Sequence, residues 1–153
     1  MKVSTFSEDD YSKYDKAAKE RLCSFLQARG HKIVDKEENY SIDITSELNG
    51  KTHYFEVECK VKKDYEFTCQ NDFKFASVSF LGRKSKYPFS FYYVILCAKT
   101  SGAVFCNSEH IFKDEYYEEK KVERNGIIGI DKFYHVPKEK CKFFQVPLQS
   151  HNF

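Results

Sequence analysis

Apolar positions first recur at helical spacing and then fall into short alternating runs. Tyr14, Ala17, Ala18, Leu22, Phe25 and Leu26, with Arg21 in the same series, repeat every three or four residues. A helix is therefore predicted from residue 11 or 12 to 29, with Gly30 as its stop. Residues 31–35 (HKIVD) read as a short strand and 36–39 as a turn. Two β-rich runs, 40–45 and 52–61, then flank Asn49-Gly50, a dipeptide that favours a two-residue hairpin because both positions tolerate positive φ. If Leu48 opposes Lys51, then Ile44 opposes Phe55, Ile42 opposes Val57 and Tyr40 opposes Cys59. That register gives one continuous apolar face.

Further along, residues 65–69 either continue the hairpin or begin a new strand, and 73–81 alternate imperfectly as a strand. The run 89–98 (FSFYYVILCA) is the most β-rich and reads as a central strand, with 103–106 returning beside it. Ser108 is a good N-cap and Glu109 suits a first turn, so a second helix is predicted over about 109–121. Its EYYEEKK run reads as a solvated face. After a turn at Asn125-Gly126, short strands are expected at 127–130 and 133–136, an interruption at Pro137, and a last strand at 142–146. Together these elements define an α/β chain in the α+β sense, with a central mixed β-sheet flanked by helices. At 153 residues it reads as a single domain over 1–153, with 1–10 and 147–153 as loose termini.

The second face of the hairpin is the unusual one. The same register sets Asp43 opposite Glu56, with Glu58 diagonal to Asp43 at ~7–8 Å and Lys60 beyond. Opposed carboxylates repel. Either the face is well solvated, as on any half-buried strand, or a cation sits between the acids. A hard divalent ion such as Mg²⁺ takes carboxylate oxygens, waters and substrate phosphates.

An Asp in one strand, a turn, then Glu-Cys-Lys in the next resembles the PD-(D/E)xK nuclease superfamily, which has the restriction-endonuclease-like fold. The residues carrying the resemblance are Asp43, Glu58 and Lys60, within IDI and FEVECK. Ile42 stands where many members have proline. The resemblance implies that Asp43, Glu58 and the backbone carbonyl of Cys59 hold Mg²⁺ or Mn²⁺, and that Lys60 positions or activates the attacking water. Glu56 is the reserve ligand. In some members a first-helix glutamate joins the metal, a role open to Glu20, which otherwise reads as an exposed helix residue. The function implied is a metal-dependent endonuclease acting on nucleic acid, DNA ahead of RNA; one small domain with no separate recognition module points to limited sequence specificity or to a homodimer. A catalytically inactive module of the same fold, binding nucleic acid or a protein partner, is the alternative, and an unrelated α+β protein with a merely wet hairpin face is the third.

Composition narrows this further. The net charge of +2 is no global nucleic-acid signature, so any basic footprint must be local. The local candidate is the loop Gly82-Arg83-Lys84-Ser85-Lys86, whose Arg83, Lys84 and Lys86 could contact phosphates, with Tyr87 available to stack on a base. Aromatic residues make up 17%, without tryptophan, which predicts a Phe-rich core. The six cysteines include no C-x-x-C pair, so they read as reduced, mostly buried thiols of a cytosolic protein rather than a zinc site or disulfide framework. The first residues lack the apolar core of a signal peptide, and no run reaches the ~18 apolar residues of a membrane span. The Lys-, Tyr- and Phe-rich composition suggests an AT-rich genome, such as that of a phage or other mobile element, and hence a host-cytoplasmic location.

Overall fold

The structure, a computed structural model, describes residues 8–38 and 41–149, with side chains from residue 14 onward. Helix α1 spans Glu8–Ala28. It begins before the expected residue 11, so residues 8–10 are helical rather than a loose lead-in. Its end follows the sequence: Gly30 takes φ 94°, its N–H reaches the Gln27 carbonyl, and the His31 N–H reaches the Leu26 carbonyl at 3.0 Å. This double bond satisfies carbonyls that the helix end would otherwise leave open.

Strand β1 (Lys32–Asp35) leads to β2 (Ile44–Leu48) and β3 (Lys51–Lys60). Leu48 faces Lys51 and Ile44 faces Phe55, the register read from Asn49-Gly50, both of which have positive φ. The ladder ends there. Ser41, at φ 63°, bends the chain, and Ile42 and Asp43 leave β2. Ile42 is therefore not opposite Val57 on the apolar face; it packs on the other side of the sheet with Tyr93 and Ile95. Tyr40, expected opposite Cys59, lies outside the described residues.

No strand forms at 65–69, where a short turn over Lys63–Tyr65 runs into a loop, and β4 is only Ser77–Leu81. Strand β5 (Tyr92–Cys97) runs parallel to β3, and β6 (Gly102–Asn107) returns antiparallel to it. Tyr93, Ile95 and Cys97 enter one apolar cluster, Val94 and Leu96 the other. Burial on both faces makes β5 central, in keeping with its unbroken apolar run.

The expected helix over 109–121 is the clearest departure. A four-residue helix, α2 (Ser108–Ile111), is capped by Asn107 rather than Ser108, whose hydroxyl instead accepts from the Phe91 N–H. After a turn at Asp114–Tyr116 the chain becomes β7 (Tyr117–Arg124), paired with one long strand, β8 (Ile127–Pro137). The two strands expected at 127–130 and 133–136 are one. Asn125 and Gly126, both at positive φ, close a second two-residue hairpin, and pairing with β8 overrides the helical leaning of EEKK. Strand β9 (Lys142–Gln145) completes the set.

The larger sheet has order β1-β2-β3-β5-β6-β9, and a smaller one has β4-β8-β7. Helix α1 packs Ala18, Leu22 and Leu26 on Ile44, Phe55, Val57, Val94 and Leu96. The opposite face, Tyr93, Ile95 and Val104, meets Phe67, Phe73, Val78, Phe80 and Val136. The central mixed sheet is thus covered by one long helix and, on the other side, by a small sheet rather than further helices. All six cysteines are free thiols, with Cys69 exposed. Among the described residues no helix is long and apolar enough to cross a membrane. Residues 147–149, expected to be loose, include Gln149, whose amide donates to the Glu20 carbonyl and the Ser24 hydroxyl.

A Cβ at Gly102 would overlap the Phe67 carbonyl, so β6 passes the 67 loop at a distance only glycine allows. Gly102→Ala is expected to destabilise the fold by about 2–3 kcal/mol through this overpacking. Urea unfolding of parent and variant measures it; equal midpoints would contradict the close approach.

Candidate active site

Asp43 sits where β2 parts from β3. Its Oδ2 accepts the Val57 N–H at 2.8 Å, so the carboxylate takes the place of the backbone acceptor that a continued ladder would have supplied. Because the strands separate here, Asp43 is reached from both sides of the sheet. From α1, Lys19 Nζ lies 3.5 Å from Asp43 Oδ1, 2.6 Å from Glu38 Oε1 and 3.7 Å from Asp15 Oδ2. Burial opposes charge on Lys19, but the Glu38 hydrogen bond and the Asp43 and Asp15 charges outweigh it and hold its pKa above the usual lysine range. Burial also raises the Asp15 pKa, against the pull of Lys19.

On the other side stand the acids of β3. Glu56 is only 2% exposed; its Oε2 is 2.5 Å from Lys84 Nζ and its Oε1 accepts the Tyr87 hydroxyl at 2.7 Å. Glu58 Oε1 accepts the Tyr93 hydroxyl at 3.0 Å, and its Oε2 is 3.0 Å from Lys60 Nζ. Lys60 lies over the Tyr65 ring, 4.7 Å from its centroid. These partners come together through the parallel β3–β5 register, which sets Glu56 beside Tyr93 and Glu58 beside Ile95. The two tyrosine pKa values rise, chiefly by burial and then through the neighbouring glutamates.

The acid felt most by Asp43 is Glu56. Burial and then the Glu56 charge push the Asp43 carboxyl up to about 7, and the Val57 N–H, Lys19 and Lys84 pull it only partly back. The sequence reading set Asp43 directly against Glu56 and gave first place to Glu58; the local electrostatics put Glu56 nearer the centre. Tyr14, Asp15, Glu56, Glu58, Cys59, Arg83, Lys84 and Tyr93 border a cleft of about 140 Å³.

The other predicted residues separate. Cys59 borders the cleft, while burial raises its thiol to about 11. Lys84, read as a phosphate contact on a free loop, folds inward onto Glu56. The loop itself is a short turn over Gly82–Lys86, with Arg83 exposed at the cleft rim. Lys86 is exposed, with Nζ 5.4 Å from the Tyr87 ring centroid. Glu20 does not reach the cleft; it lines a separate groove between α1 and residues 145–149. The sequence reading missed Asp15, Lys19 and Tyr93. The i, i+4 spacing of Asp15 and Lys19, beside the apolar stripe, was the available signal for the first two.

The donor set is oxygen-rich and suits a hard ion, and the repulsion between Asp43 and Glu56 is what such an ion would relieve. As folded, however, lysines hold the acids, and among the described residues no three His, Cys, Asp or Glu side chains converge as a ligand group. Comparison with known protein families, with curated proteins and with solved structures finds no match to this chain.

A raised Asp43 pKa has a defined consequence. Between the ordinary aspartate value and about 7 the folded state keeps a proton that the unfolded state has lost, so this group's contribution to stability falls as pH rises through that window. Carboxyl NMR should show Asp43 titrating well above the ordinary range, and Glu56→Gln should move it down by removing the repelling charge. Titration near 4 in the parent would contradict the coupling.

Proposed function

We propose that the chain is a metal-dependent nuclease that hydrolyses phosphodiester bonds, acting on DNA in preference to RNA, with a restriction-endonuclease-like core. The observation that carries this reading is the acid set at the strand separation: Asp43, buried and held by the Val57 N–H, feels the charge of buried Glu56, with Glu58 and Lys60 on the adjoining stretch of β3. Strained, desolvated acids of this kind are frequent at functional sites. For Asp43, Glu56 and Glu58 to hold Mg²⁺ or Mn²⁺, with the Cys59 carbonyl beside them, the acids would have to converge further than they do as folded. When bound, the ion would supply Lewis acidity toward the phosphoryl oxygens and the attacking water.

The chain's own groups have separable tasks. Lys84 neutralises Glu56 and would have to yield it for the acids to ligate, which frees an ammonium for a non-bridging phosphate oxygen. Lys60, held by Glu58 and the Tyr65 ring, would orient a water or counter the charge that builds on phosphorus. The Tyr93 hydroxyl fixes Glu58, and Lys19 steadies Asp43 from the helix side. The fact that every acid already has a lysine partner favours a second reading, an inactive nuclease-fold module that binds nucleic acid or a protein through the same cleft.

Cleavage assays on linear, circular, branched and single-stranded substrates with Mg²⁺ or Mn²⁺ separate the two. The nuclease reading expects cutting that falls about 100-fold or more in Asp43→Ala, Glu56→Ala and Lys60→Ala, with the fold intact by circular dichroism. Variants that cut as fast as the parent would remove these residues from the chemistry. A parent inert on every substrate would leave the binding module.

A further inference from the structure

The candidate cleft does not end at Arg83. Leu81 and Arg83 also border a second cavity of about 510 Å³, with Ser85, Arg124, Ile130, Asp131 and Lys132. That cavity shares Arg124, Ile130 and Asp131 with a third, of about 320 Å³, toward the ribbon tip at Ile127. Shared lining residues set the three in series, as a trough from the acids of β3 toward the end of the β7–β8 hairpin. Its floor follows from the topology. Strand β4 pairs β8 only over residues 133–137, whereas β7 pairs it over 127–134. On the side of β8 away from β7, residues 127–132 therefore have no strand partner. Gly82 packs against this edge so closely that a Cβ there would lie 2.8 Å from the Lys132 Cβ.

We infer that this trough is a binding site for the sugar–phosphate backbone of a polynucleotide whose reacting bond lies at the cleft bordered by Glu56 and Glu58; the inference rests on the nuclease reading only for what happens at that end. Its second cavity is lined by three cations, Arg83, Arg124 and Lys132, against one acid, and that acid, Asp131, is taken by Arg124 at 2.7 Å; the acids Asp15, Glu56 and Glu58 are confined to the first cavity, beside Lys84. Arg83 and Lys132 have no acidic partner among the described residues. From residue 132 to 127 the strand covers about 17 Å, the axial length of roughly five nucleotide steps at about 3.4 Å each. The same stretch carries Ile127, Ile128 and Ile130 at 73%, 72% and 61% exposure. Side chains of this kind contact sugars and base faces, or wedge between base steps, where a ribbon meets a groove.

The test is fluorescence anisotropy of the full chain with a fluorescein-labelled 20-base-pair DNA duplex, the same DNA single strand and the matching RNA, in EDTA so that nothing is cut. Arg83→Glu and Lys132→Glu should each weaken binding about tenfold and lower the salt slope by about one or more, whereas Lys142→Glu, on β9, should not. Both substitutions keep the Cβ that packs locally, and Arg83→Ala and Lys132→Ala, with smaller losses, guard against a folding artefact. A parent that binds none of the three probes, affinity indifferent to both reversals, equal weakening by Lys142→Glu, or a ribbon that only joins two copies of the chain would each overturn the inference. Binding that responds to these charges in a protein that never cuts would sink the nuclease reading and leave the trough standing. Hydrolysis of bis(p-nitrophenyl) phosphate by a parent with charge-indifferent affinity would do the reverse.

Discussion

Two carboxylates that repel each other, Asp43 and Glu56, are held together where β2 leaves β3, and the rest of the site is arranged around that conflict. Burial makes the repulsion expensive because little water screens it. The chain answers with cations from opposite sides: Lys19 from α1 reaches Asp43, and Lys84 from the turn after β4 reaches Glu56. Each lysine is far from its acid in sequence, so the arrangement exists only once helix, large sheet and small sheet have come together. A buried acid pair neutralised in this way is weak evidence for stability. Apolar residues of similar volume would fill the same space at less cost. Three acids, Asp15, Glu56 and Glu58, border the cleft with Lys84, and Asp43 adjoins them beside Lys19.

The layering explains how the conflict is sustained. Helix α1 buries its apolar stripe on one face of the large sheet, and the small sheet and its loops bury the other with Phe67, Phe73 and Phe80. The cleft lies between β3, the start of α1 and the turn after β4. Val57, whose N–H binds Asp43, has its side chain in the helix-facing core, so the backbone that presents the carboxylate is fixed by packing on the opposite side. Tyr93 does similar work: its ring stacks edge-on to Phe80 in the second core while its hydroxyl holds Glu58.

Much of this was legible along the chain where the determinants are local. Asn49-Gly50 set the hairpin register, Gly30 ended α1, and the apolar run after Phe91 marked the central strand. The register also set Asp43 opposite Glu56, but the ladder ends at Ile44 and Phe55, and Asp43 is held by the Val57 N–H instead. What could not be read depends on contacts remote in sequence. Lys84 looked like one of three equivalent loop cations until the turn over Gly82–Lys86 folded it onto Glu56. Residues 117–121 fell within the helix expected over 109–121 because Ser108 offered an N-cap and Glu109 a first turn; the partner strand makes this segment β instead. Glu20 was a candidate by analogy alone, and the helix turns it to a different groove.

Whether the acid pair exists to hold an ion can be put to the molecule directly. Isothermal titration of Mn²⁺ into the parent, Asp43→Asn and Glu56→Gln reads occupancy without any substrate. Saturable binding by the parent and its loss in both variants are expected, with protons released as Asp43 ionises. A parent that takes up no ion, or variants that bind it as tightly as the parent, would contradict the claim that Asp43 and Glu56 are brought together to share a metal.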